Sequence, residues 1–235
     1  MLKSELLKRT PLRILDESTH GGLTAGDVGV LVAPKGTGKH ACLVHIATIR
    51  LLEGKHVVHL SFSENTSHIV SWYEKIFEAV AKRHNLENAS DIHDETVKNR
   101  IIVNFRQDDN PVQRLEKSLE LLEQSAHFHA DRLIVDGFDF TKESVEGLKE
   151  LRRFAKAAGY CIWMSASMDL GQGDTPVPAA LEPFIDEIAV MVGLEHVDNH
   201  VQLRLIKDRD TSDLADMHLT LDPETLLITE DSVVV

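Results

Sequence analysis

Val30-Leu-Val-Ala-Pro-Lys-Gly-Thr-Gly-Lys-His40 reads as a short apolar strand running into a glycine-rich turn that ends in Gly38-Lys39. Residues of these types at this spacing hold phosphate. In the pattern G-x-x-x-x-G-K-[ST], loop amides cradle the phosphates, the lysine reaches the β- and γ-phosphates, and the closing hydroxyl ligates Mg²⁺. Two positions are exchanged here: Ala33 stands at the first glycine and His40 at the hydroxyl. Pro34, Lys35, Gly36, Thr37, Gly38, Lys39, His40 and Ala41 form the expected binding set for ATP or a similar nucleotide, with Lys39 also acting in catalysis. The alternative is a glycine-rich strand-to-helix turn that carries no ligand.

A second chemical feature lies in Asp131-Arg-Leu-Ile-Val-Asp136-Gly-Phe-Asp139, an apolar run ending in a carboxylate. The carboxyl edge of a parallel sheet is where ligands bind in open α/β folds. An aspartate there can order Mg²⁺ or its water shell. Taken alone, Asp136 reads first as a turn former or helix cap; beside the loop at Lys39 the candidate metal ligand becomes the favoured reading. The thirteen histidines are scattered through strands, helices and loops and read as ordinary surface and core residues.

These side chains must be held by regular elements. Asp27–Ala33 is suited to a buried strand, and Ala41 to Leu52 carries apolar residues at helical spacing, so the turn delivers its amides to a helix N-terminus that favours an anion. Apolar runs then alternate with longer helical patterns. Strands are expected at His56 to Phe62, Arg100 to Phe105, Asp131 to Asp136, Tyr160 to Ser165, Glu187 to Val192 and His200 to Ile206. Helices are expected at about Ser67 to Arg83, Pro111 to Ala126 and Glu143 to Ala158. Leu86 to Lys98 reads as a polar loop, Gly171 to Pro178 as a mobile one, and Met217 to Val235 as a last strand forming an antiparallel extension with the one before it. The alternation predicts βαβ units, a parallel sheet, and one α/β domain over residues 1–235 with 1–13 as a lead-in.

Composition agrees with that class. The chain is 43% hydrophobic and 27% charged, in the range of ordinary globular proteins, and no apolar run is long enough to span a bilayer. The N-terminus lacks a secretory pattern, so a cytoplasmic location without membrane contact is expected. Cys42 and Cys161 then read as reduced, buried thiols. A net charge of −13 opposes duplex binding, which draws on neutralised phosphates, and makes nucleic acid an unfavoured partner.

The order of features carries a family resemblance. Leu15-Asp16, Gly21-Gly22-Leu23 and Gly26-Asp27 precede the first core strand. This segment resembles the one opening the RecA-like ATPase core of the KaiC, RadA and DnaB groups, and the resemblance extends over nearly the whole chain. It implies a RecA-like P-loop fold and ATP with Mg²⁺ as cofactors. It further implies a homo-oligomeric ring or filament with nucleotide between subunits. Glu64, just after the second strand, would activate the attacking water, and Asp136 would serve the metal. Lys207-Asp-Arg209 would reach a neighbour's γ-phosphate, although a K-x-R pair is by itself little more than surface charge.

Departures from the family pattern temper the activity. Imidazole at position 40 cannot reproduce a small hydroxyl oxygen on a hard octahedral cation, so the Mg²⁺ site is expected to be weakened. Ser165-Ala166-Ser167 replaces a sensor glutamine, whereas Ala33 is a mild change. The expectation is an ATP-binding protein with impaired hydrolysis whose nucleotide state controls self-assembly or docking of a protein partner. A non-catalytic scaffold is the alternative, and a recombinase-like DNA-binding ATPase a more distant one.

Overall fold

The computed structural model describes residues 1–62, 65–105, 111–171, 176–198, 200–211 and 214–231. Its strands are β1 (Val28–Ala33), β2 (Val57–Ser61), β3 (Arg100–Asn104), β4 (Arg132–Asp136), β5 (Cys161–Ser167), β6 (Val190–Val197), β7 (His200–Asp208), β8 (Leu219–Leu221) and β9 (Ile228–Glu230). Its helices are α1 (Lys3–Lys8), α2 (Leu12–Ser18), α3 (Lys39–Leu52), α4 (Thr66–His84), α5 (Ala89–Lys98), α6 (Pro111–Ala126) and α7 (Val145–Ala158). The strands form one sheet in the order β3-β2-β4-β5-β1-β6-β7-β8-β9. From β3 to β6 every pairing is parallel; β7, β8 and β9 follow antiparallel. The molecule is thus α/β, with a mostly parallel central sheet between helices and an antiparallel C-terminal part.

The parallel strands are apolar throughout because helices cover both faces of the sheet. Successive side chains of β1 alternate between two cores: Leu31 and Ala33 face α1 to α5, while Val28, Val30 and Val32 face α6, α7 and the 3-10 turn Glu182–Glu187. On the first side Leu43, Ile46 and Ile49 of α3 meet Ile69, Tyr73 and Ile76 of α4. On the second, Leu115 and Leu119 of α6 meet Leu148 and Leu151 of α7. Helix α7 is closed at both ends, by the Ser144 hydroxyl accepting from the Gly147 amide and by Gly159 in the left-handed conformation.

Two expectations are corrected. Residues 86–98 are not a loop: α5 occupies Ala89–Lys98, because Thr96 is buried and Ile92 packs on the core beneath an otherwise polar helix. The C-terminal segment holds two short strands, β8 and β9, joined by a turn in which the Asp222 carboxylate accepts from the amides of Glu224 and Thr225. In the N-terminal segment, Leu6 and Leu12 are buried in the core that contains α3. The expectation of mobility at 171–178 bears mainly on residues 172–175, which lie outside the described residues. Among the described residues no helix is long and apolar enough to cross a membrane.

Candidate functional site

Strand β5 lies between β1 and β4, so the carboxyl ends of all three open onto one edge of the sheet. From that edge the chain leaves β1 at Ala33, turns through residues 34–38 and enters α3 at Lys39. Gly36 and Gly38 have φ of 84° and 110°, a conformation that glycine adopts without steric cost. The turn therefore points amides of the first helical turn outward, where the helix dipole favours negative charge.

Lys39 does not extend into open space. Its ammonium donates to the carbonyls of Ala33 and Pro34, both at 2.6 Å, and the residue is only 6% exposed. Burial lowers its proton affinity, while the charge of Asp136 opposes that shift. The Thr37 hydroxyl also donates to the Pro34 carbonyl, at 3.0 Å. The loop is thus closed on itself by its own side chains.

Asp136 ends β4 and is almost fully buried. Burial would push its carboxyl up, but hydrogen bonds from His40 and Ser165 and the charge of His40 outweigh it and hold the group at about 2. His40 Nδ1 donates to Oδ2 at 2.6 Å, and the Ser165 hydroxyl donates to Oδ1 at 2.6 Å. Ser165 Oγ in turn accepts from the Gly137 amide at 2.9 Å. Because the carboxylate is ionised, the proton of the first bond belongs to the imidazole.

Aromatic neighbours fix the His40 ring. It lies edge-on to Trp72, with centroids 5.4 Å apart, and nearly parallel to His68 at 6.3 Å. Behind it His59 is fully buried, shares a 3.1 Å hydrogen bond with the Tyr73 hydroxyl, and has its pKa lowered by burial to about 3. The Nε2 atoms of His40 and His59 are both buried without a hydrogen-bond partner among the described residues.

The loop, Asp136 and Ser165 line one cleft of about 720 Å³, within the size range of small-molecule sites. Lys35, Gly36, Thr37, Gly38, Lys39, His40 and Ala41 all border it. Its far wall combines His196 and His200 with Val201, Leu221, Pro223 and Leu226. Sequence reasoning missed this wall. The signal available was the four-residue spacing of His196, next to the end of β6, and His200, which opens β7.

The remaining expected residues lie elsewhere. Glu64 is outside the described residues. Lys207 and Arg209 do not border the cleft. Lys207 Nζ donates to the carbonyls of Ile188 and Arg209, at 2.7 and 3.0 Å. Arg209 donates to the carbonyls of Thr19 and Gly22 and pairs with Asp208 and Asp27. Its guanidinium ties the Gly21-Gly22 segment to the end of β7. Cys42 and Cys161 are buried free thiols, pushed up by burial to about 12 and about 11, which makes them inert.

The residues present fit Mg²⁺ poorly. Position 40 offers nitrogen to a cation that prefers oxygen, and both Asp136 oxygens already accept strong hydrogen bonds. Among the described residues no group of three or more His, Cys, Asp or Glu side chains is arranged to hold a metal. Neither a known family model nor a curated protein matches this chain.

Proposed function

We propose that this chain is a RecA-like ATP-binding protein with impaired hydrolysis, whose nucleotide state controls its self-assembly or the docking of a protein partner. One observation carries the reading: a glycine-rich turn opens α3 at the carboxyl edge of a parallel sheet, and Lys39 and Asp136 border the same cleft. Triphosphate would sit on the first-turn amides of α3 and draw the Lys39 ammonium away from the Ala33 and Pro34 carbonyls. The apolar wall at Val201, Leu221 and Leu226 would take the less polar end of the ligand.

A second reading, a non-catalytic nucleotide-gated scaffold, is favoured by the His40–Asp136 bond, which occupies the carboxylate that hydrolysis would use to order a cation. Calorimetry with ATP, phosphate release and light scattering on the same samples separate the two. Binding in the micromolar range, weakened about tenfold or more in Lys39→Ala, is expected. Slow phosphate release supports the impaired ATPase, and none supports the scaffold. Absence of ATP binding by the folded wild-type protein overturns both. A change in scattering on ATP addition is expected if nucleotide controls assembly.

A further inference from the structure

We infer that the His40 imidazole takes the seat of the divalent cation, so that the cleft binds a nucleoside triphosphate in its metal-free form. The inference rests on the nucleotide-binding reading above and adds to it the chemical form of the ligand. Three features of the site carry it.

First, the carboxylate is spoken for. His40 Nδ1 and the Ser165 hydroxyl each approach a different oxygen of Asp136 at 2.6 Å, and the side chains of His40 and Asp136 are only 18% and 7% exposed. Bringing a cation or its water shell onto this carboxylate means breaking a charge-assisted hydrogen bond between two mostly buried groups. Second, the imidazole has little freedom to withdraw. Trp72 and His68 hold its ring from the side, and Nε2 is enclosed. A ring rotation would give up the bond to Asp136, and among the described residues Nε2 has no partner to receive it.

Third, the site supplies a countercharge without metal. A bare carboxylate beside a triphosphate repels it, and in metal-dependent sites the cation cancels that repulsion. Here the N–H of His40 and the O–H of Ser165 cap both oxygens of Asp136. Lys35, Lys39 and the N-terminus of α3 border the same cleft and attract anions. The ligand class is therefore an uncomplexed triphosphate.

The test is the affinity of the wild-type protein for a non-hydrolysable ATP analogue, measured by calorimetry in excess EDTA and again in excess Mg²⁺. The expected binding is tight in EDTA and weaker by about tenfold or more in excess Mg²⁺, because the cation sequesters the free triphosphate that the cleft takes. His40→Thr is expected to bind the analogue about tenfold more tightly with Mg²⁺ than with EDTA. Mn²⁺ spectra should show a protein-held ion with the analogue in that variant and not in the wild type. Wild-type binding that is as tight in excess Mg²⁺ as in EDTA, or tighter, overturns the metal-free inference and leaves the nucleotide reading standing. Binding in neither condition overturns the nucleotide reading itself, and this inference with it. If His40→Thr does not fold, the wild-type comparison decides alone.

Discussion

Leu221 of β8 lies directly over Gly38 of the loop, so that a methyl group added at Gly38 would overlap the Leu221 Cδ2 atom. The antiparallel C-terminal part therefore closes on the turn that opens α3. Gly38 is also held at a φ of 110°, which no L-residue adopts without strain. Gly38→Ala is expected to destabilise the protein by about 2 to 4 kcal/mol, the sum of overpacking and backbone strain. Adding Leu221→Ala should recover the steric part and leave the backbone part. Urea unfolding of the two single variants and the double variant measures this coupling. Additive effects would show that Leu221 does not press on the loop.

Arg209 is expected to matter for stability first. Its guanidinium reaches two carbonyls and two carboxylates, and Asp208 is only 1% exposed. Arg209→Ala should cost about 2 to 4 kcal/mol, because it leaves buried acceptors and a buried carboxylate with fewer partners. Arg209→Lys should recover little, since an ammonium cannot fork between Thr19 and Gly22. Denaturant midpoints check both. A role confined to a neighbouring subunit's site predicts the opposite pattern: unchanged midpoints with altered assembly or phosphate release.

Stability should fall as the solution is acidified below neutrality. His45 Nδ1 accepts from the Ile228 amide at 3.0 Å, and burial lowers the pKa of both His45 and His59 from 6.5 to about 3. The unfolded chain takes up these two protons as pH falls through about 6.5, whereas the folded chain does so only near 3. Between those limits the stability they contribute is progressively lost, with a slope approaching about 2.7 kcal/mol per pH unit for two protons. Above about pH 7 the contribution is complete. His59→Asn should halve the slope between pH 6 and 4, as read from urea titrations across that range. An unchanged slope would mean that His59 is charged in the folded state.

Arg50 fastens α3 to α2 through Nη2, which donates to both oxygens of Asp16 at 2.6 and 2.7 Å, while Nη1 pairs with Glu53, in a mostly buried setting. Asp16→Asn should lower stability by about 1 to 3 kcal/mol, because the guanidinium keeps its burial cost and loses one of the two carboxylates paired with it. Thermal unfolding at neutral pH measures it. The loss should shrink little in high salt, since the pair is shielded from solvent ions.

Local chemistry made much of this molecule legible in its sequence. The apolar run of β1, the glycines of the turn and the helical spacing after Lys39 are contiguous, and backbone sterics and dipoles act over those few residues. The strands at β2, β3, β4 and β5 and the helices α4, α6 and α7 were readable for the same reason. Helix α5 was not, because most of its residues are polar and only Ala89, Ile92 and Thr96 mark its packed side among the core contacts. The two strands after Met217 were hidden because each is three residues long and is set by pairing partners, not by periodicity.

The exchange of a hydroxyl for His40 was visible in the sequence, and with it the expectation of a weakened cation site. The tertiary structure decided what the imidazole does, because its partner Asp136 lies 96 residues away and reaches it only through the strand order of the sheet. The same holds for Arg209, whose acceptors Thr19 and Gly22 are more than 180 residues distant. Residue types determined which hydrogen bonds and charges were available. Which of them met was decided by folding, since burial makes an unpaired polar group costly and only the packed chain brings its remote partner within bonding distance.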